Sequence, residues 1–271
     1  MVDSSSFSWI LPLAEEAYAN REEILSNWEK FKTQLTGKQI SIAVTGLPGV
    51  GKSVLCDYLS EKAYQRNYST PGKSEDLENN NIAAKNIKIR LSTIPGQDSP
   101  NKLAALDEIF HEEYPIDGVI HVVANGYSSL RSAFAQEWYQ GTDIEAYRQA
   151  QLKVEIDDIS DICERMRKSI RITGKPKWLL VAVTKIDLYY DTIEQARDRY
   201  HVGESEFTRR IRKLSNQVGS DNFTWEVLPV CSILDDFKLG DTIYQSKFKE
   251  KERNHYINQF LKKIIAISKA S

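Results

Sequence analysis

Eight consecutive residues, Gly46-Leu47-Pro48-Gly49-Val50-Gly51-Lys52-Ser53, have the types and spacing to do phosphate chemistry. They fit G-x4-G-K-[ST] at every fixed position. Glycines let successive backbone N–H groups curl round phosphate oxygens with no Cβ in the way. A helix opening at the end of the loop adds partial positive charge at the same place. In such a loop the lysine reaches β- and γ-phosphates, and the serine hydroxyl binds Mg²⁺. Candidate nucleotide contacts are therefore Gly46, Pro48, Gly49, Val50, Gly51, Lys52, Ser53 and Val54, with Lys52 also a candidate catalytic group and Ser53 a candidate metal ligand. The alternative is a Gly-rich turn that holds nothing. The flanks argue against it: Ile40–Val44 reads as a buried strand and Val54–Leu59 as the opening of a helix.

A second segment, Thr184-Lys185-Ile186-Asp187, follows the apolar run Trp178–Val183, which reads as a central parallel strand. At this point the chain resembles the P-loop GTPases, whose guanine motif is Asn/Thr-Lys-x-Asp. The resemblance implies that Asp187 accepts from guanine N1–H and the exocyclic amine, a donor pair adenine lacks. It implies that the Lys185 stem lies along the base, with Thr184 standing where Asn is commoner.

Between these segments, Ile87–Leu91 alternates like a strand and leads into Ser92-Thr93-Ile94-Pro95-Gly96-Gln97. This is similar to the family's Asp-x-x-Gly-Gln, with Thr93 in place of the Asp that orients a magnesium water. The resemblance gives the Gly96 amide to the γ-phosphate and makes Gln97 the candidate catalytic residue that orients attacking water. Thr70 lies 17 residues after Ser53 (70 − 53), close to the family spacing for a second Mg²⁺ ligand. Ordinary loop chemistry accounts for Ser69-Thr70-Pro71-Gly72 equally well. Cys231-Ser232 follows the strand-like Trp225–Val230, at the place of the family's Ser-Ala, where a backbone N–H meets guanine O6.

These segments occur in GTPase order, each at the carboxyl end of an expected strand, where open α/β sheets bind ligands. The implied fold is a three-layer α/β P-loop domain with a mostly parallel sheet. The implied ligands are GTP or GDP with Mg²⁺. The implied function is a slow, Mg²⁺-dependent GTPase acting as a molecular switch toward an unidentified protein effector or activator. Two alternatives stay open. One is a GTP-binding scaffold without hydrolysis, favoured by the missing acid at position 93. The other is a P-loop ATPase or kinase, which needs no Thr-Lys-x-Asp.

The elements that must position these groups alternate strand and helix, as one α/β domain does. A helix is expected over residues 8–35, then a first core strand over 38–45 and a helix from the loop to about 67. Residues 71–82 are polar, with a turn expected at Glu78-Asn79-Asn80-Asn81. A hairpin then pairs an edge strand with residues 86–92. A helix runs from near Asn101 to before Pro115, and a buried strand covers Asp117–Ala124, where His121 reads as a strand residue. Residues 125–142 form an aromatic-rich insertion between the Gly-Gln and guanine motifs. Within it, Arg131 is the one cation able to approach a phosphate in cis, although a solvated helix charge accounts for it more readily. A long helix over 143–170, a solvated helical stretch over 190–218 and an amphipathic C-terminal helix complete the pattern. The expected organisation is an N-terminal helical extension, 1–37, followed by a GTPase-like domain, 38–271.

Of the 271 residues, 41% are hydrophobic and 27% charged, which suits a soluble α/β core. A net charge of −2 leaves no general attraction to nucleic acid. Three cysteines, Cys56, Cys163 and Cys231, have no metal spacing and suggest reduced thiols, hence a cytoplasmic location. No run approaches the about 18 apolar residues of a membrane span.

Overall fold

The computed structural model describes residues 21–34, 39–71, 78–84, 87–94, 100–110, 115–130 and 133–270. Helix α1 (Arg21–Gln34) precedes strand β1 (Gln39–Gly46), which runs into the glycine loop, and α2 (Lys52–Leu59) leaves it. Next come β2 (Glu78–Ala84), β3 (Ile87–Thr93), α3 (Pro100–Ile109), β4 (Gly118–Val123), a short α4 (Ala133–Trp138), the long α5 (Ile144–Thr173) and β5 (Trp178–Val183). Then α6 (Ile193–Arg197), α7 (Glu206–Val218), β6 (Thr224–Pro229), the small hairpin β7 (Phe237–Leu239) and β8 (Thr242–Tyr244), and α8 (Glu250–Ala270) follow.

The main sheet has six strands in the order β2-β3-β1-β4-β5-β6, with only β2 antiparallel to its neighbour. From β1 the chain crosses to β3 on one side and later to β4 on the other. That reversal makes the carboxyl end of β1 the crevice of the sheet. Right-handed crossovers then send helices to opposite faces. On one face Arg253 of α8 lies over the Tyr58 ring of α2 at 5.2 Å, and Asn258 of α8 bonds Asn27 and Glu23 of α1. On the other, α5 bonds α3 through Lys102–Asp158 and Arg165–Asp107. The fold is thus the three-layer α/β arrangement expected.

Strands β4 and β5 are buried at every residue, which is why β5 reads as an unbroken apolar run and β4 as one interrupted only by His121. Trp178 packs so closely on Gly118 that a Cβ there would lie 2.0 Å from the indole. Asp143 caps α5 by accepting from the N–H groups of Glu145 and Ala146, and Gly174 ends it in the left-handed region at φ 72°.

Three expectations need correction, and a fourth lies partly outside the described residues. The helix after the loop stops at Leu59 rather than near 67, because Ser60 caps it and Glu61 turns left-handed at φ 64°. A single 3₁₀ turn, Lys62–Tyr64, is all that continues it. Glu78–Asn81 is not a turn: it is the first half of β2, paired along β3 from Glu78↔Thr93 to Asn81↔Arg90. An edge strand pairs on one side only, so polar residues are tolerated there. Residues 190–218 are not one solvated helix. α6 passes through a π-turn, Asp198–Val202, and α7 restarts after Gly203 with Phe207, Ile211 and Leu214 buried. The expected helix over 8–35 is described only as α1, its first part lying outside the described residues.

Candidate functional site

Backbone crowding explains the glycines of the loop. Gly46 has φ 132°, and a Cβ there would lie 2.2 Å from the Val122 carbonyl oxygen on β4. Gly49 has φ 73°, and a Cβ would lie 2.3 Å from the Ser129 carbonyl oxygen. Gly51, at φ 98°, is the N-cap of α2 and supplies no side chain, so nothing on the cap residue competes for the first amides of the helix. The Lys52 ammonium folds back over the loop, donating to the carbonyls of Gly46 at 2.8 Å and Leu47 at 2.7 Å. Pro48 is exposed, whereas Val50 and Val54 are buried.

The guanine-type segment sits against this loop. Thr184 hydroxyl donates to the Val50 carbonyl at 2.7 Å and the Val123 carbonyl at 2.9 Å, tying the end of β5 to the loop. Lys185 turns left-handed at φ 57° and starts the 3₁₀ turn Ile186–Leu188 that carries Asp187. Lys185 Nζ donates to the Tyr127 carbonyl at 2.6 Å and to Ser129 Oγ at 2.7 Å, and lies 5.4 Å from the Phe237 ring centre. Asp187 is 1% exposed; Oδ1 accepts from the Cys231 thiol at 3.3 Å, and Oδ2 has no hydrogen bond among the described residues. Burial pushes this carboxyl up from its ordinary value, opposed by the nearby Ser246 hydroxyl, the Cys231 thiol and the Lys185 charge. Ser232 is buried beside Gly51, its Oγ 3.7 Å from where a Cβ on that glycine would stand.

One cleft joins these groups. Its walls are Gly49, Gly51, Val54, Thr70, Pro71, Ser129, Lys185, Asp187, Leu188, Ile233, Asp235, Asp236 and Phe237. Thr70 is exposed at its mouth. Thr93 ends β3 with its hydroxyl 3.2 Å from the Cys56 thiol of α2, buried rather than open to the cleft. Gly96, Gln97 and Arg131 lie outside the described residues.

Several residues at the site carry no motif. Glu155 on α5 is 1% exposed, and its Oε1 accepts from the N–H groups of Ala124 and Gly126 at 3.1 Å each. Its other oxygen accepts from Tyr200. Those bonds fix the chain beyond β4, where Asn125 has φ 49° and Gly126 φ 80°. The signal was present in the sequence: Glu155 interrupts the apolar stripe Leu152, Ile159, Ile162, Met166 at helical spacing. Phe237 and Tyr127 form an aromatic wall, with their rings edge to face at 5.4 Å. Nothing in their spacing announces it.

Behind the loop, His121 is fully buried, with Nδ1 2.9 Å from Thr45 Oγ1 and Nε2 3.9 Å from Asp158 Oδ2. Asp158 in turn holds Lys102 of α3 at 2.8 Å. Among the described residues no group of three His, Cys, Asp or Glu side chains is placed to hold a metal, and no helix is long and apolar enough to cross a membrane.

No curated protein matches the chain. Among solved structures, Toc33 of Arabidopsis thaliana in complex with GDP and Mg²⁺ superposes with a TM-score of 0.51 at 15% identity, covering 93% of this chain and 92% of that one. A structure of the chloroplast translocon components atToc33 and psToc159 gives 0.51 at 14% identity, covering 95% and 94%. At such identities the likeness is one of fold. Residues 41–181, just over half of the chain, match the family described as 50S ribosome-binding GTPase. The chain therefore belongs to that GTPase family and is a GTP-binding protein.

Proposed function

We propose that residues 38–271 bind GTP and GDP in this cleft, hydrolyse GTP slowly with Mg²⁺, and act as a switch read by a protein effector or activator in the cytoplasm. Residues 1–37 are an addition to that unit. One observation carries the reading: the glycine loop and Asp187 line the same cleft, and Oδ2 of Asp187 is buried with no hydrogen bond among the described residues. A buried acceptor left unpaired is costly. Guanine answers it with N1–H and its amine, whereas adenine would leave it unpaired.

In this reading the loop amides hold the phosphates, and Lys52 exchanges its two carbonyl partners for phosphate oxygens. The backbone N–H of Ser232 meets guanine O6, beside the Cys231 thiol. The Gly96 amide meets the γ-phosphate, and Gln97 orients water. A magnesium ion, when bound, neutralises charge on the β- and γ-phosphates. Hard hydroxyl oxygens suit it, so Ser53 and Thr70 fit as protein ligands. Magnesium is ordinarily held by carboxylates together with phosphates. Position 93 offers no carboxylate, so Ser53 and Thr70 would be the protein groups that hold the ion beside the nucleotide.

Hydrogen exchange with GDP and with a non-hydrolysable GTP analogue tests the switch. Slower exchange in residues 68–73 and 94–101 with the analogue alone supports it. Identical exchange in both states favours a second reading, a GTP-binding scaffold that does not hydrolyse. The burial of Thr93 against Cys56 is the observation on that side.

A further inference from the structure

After β4 the chain stays against the glycine loop instead of turning away. The Ser129 N–H donates to the Gly49 carbonyl at 3.1 Å. Its hydroxyl accepts from Lys185 Nζ at 2.7 Å. One residue therefore bridges the phosphate-binding loop and the base-binding motif, and it lines the cleft between them. A nucleotide with its phosphates in Gly46–Ser53 and its base on Lys185 and Asp187 has its sugar in that interval.

We propose that Ser129 recognises the sugar, donating its hydroxyl proton to a ribose hydroxyl oxygen of the bound nucleotide. A serine hydroxyl has one proton and two lone pairs, and an ammonium can only donate. Lys185 therefore takes a lone pair and leaves the Ser129 proton for an acceptor in the cleft. The half-buried setting of Ser129 makes that bond count for more than it would in open water. Ser129 is in this way a specificity residue for a nucleotide that keeps that ribose hydroxyl over the deoxy analogue that lacks it. The inference rests on the guanine-nucleotide reading above.

Calorimetric titration of the wild-type chain and Ser129→Ala with GDP, 2′-deoxy-GDP and 3′-deoxy-GDP tests it. Wild type should discriminate against one deoxy analogue. Ser129→Ala should bind GDP about three- to tenfold more weakly, the worth of one neutral hydrogen bond, yet bind that analogue almost as wild type does. Ser129→Thr, which keeps the hydroxyl, should keep the discrimination. Matching thermal melts without nucleotide exclude a folding defect. An equal loss for all three nucleotides overturns the inference alone, because Ser129 then serves only to anchor Lys185. Wild-type protein that binds no GDP overturns the guanine reading and this inference with it.

Discussion

The Cys231 thiol donates to Oδ1 of Asp187 at 3.3 Å, and Oδ2 of the same carboxylate is buried with no hydrogen bond among the described residues. Burial also drives the Cys231 thiol well above its ordinary pKa, with Asp187 adding to the effect, so the thiol stays protonated and remains a donor. One oxygen of the carboxylate is thus held in place, the Ser246 hydroxyl lies near the group, and the other oxygen makes no hydrogen bond among the described residues.

Asp187→Ala should weaken GTP and GDP together, by about 1.5–3 kcal/mol for a hydrogen bond to a charged group. Asp187→Asn should shift preference toward xanthine nucleotides, since an amide can donate where the carboxylate accepts. Competition titrations against a fluorescent GDP derivative measure both. Unchanged base preference in Asp187→Asn contradicts the role of this residue.

Thr93 brings no charge to the end of β3, and its hydroxyl is committed to Cys56. GDP dissociation should therefore change little when Mg²⁺ is chelated. Thr93→Asp should make dissociation markedly Mg²⁺-dependent. Unaided GTP turnover should be slow, and a rate of about 1 s⁻¹ or more, in the range of kinases, contradicts this account.

Glu155 holds two backbone N–H groups of the turn beyond β4 and accepts from Tyr200. Burial pushes its carboxyl up, while Tyr200 and the amides of Gly126 and Ala124 pull it down. Glu155→Ala leaves those buried donors unpaired and should cost at least about 1–3 kcal/mol of stability. Glu155→Gln keeps an acceptor and should cost less. Urea unfolding midpoints decide between the two, and equal losses contradict the hydrogen-bonding role.

Much of this was legible in the residues. The loop, the guanine-type segment and the strands they follow were read directly, because burial on both faces makes β1 and β5 largely apolar. The polar edge strand β2 was read as a turn, because its Asn residues carry no strand periodicity and backbone pairing with β3 alone defines it. Ser129 and Phe237 were missed because their roles depend on which loops meet beyond the sheet, which no local spacing encodes. Glu155 was the recoverable omission, an acid inside an apolar stripe.

His121 is lowered from 6.5 to about 4, first by burial and then by Lys102 and Lys52, with Asp158 opposing. The unfolded chain takes this proton below its ordinary value, and the folded chain resists. Stability from this group is complete above pH 6.5 and is lost as pH falls from 6.5 toward about 4. The slope in that window is up to about 1.4 kcal/mol per pH unit. Chemical denaturation of wild type and His121→Asn at pH 7.5, 6 and 5 should show that slope in wild type and its loss in the variant. Parallel curves contradict the assignment.

The central claim is that one cleft reads guanine through Asp187 while the glycine loop holds its phosphates. Competition of GDP, GTP, ADP and ATP for a fluorescent GDP derivative on the wild-type chain tests it most directly. GDP and GTP should displace the probe at similar low concentrations, with ADP and ATP weaker by roughly tenfold or more, the worth of a charged hydrogen bond. Equal displacement by ATP and GTP would contradict the claim.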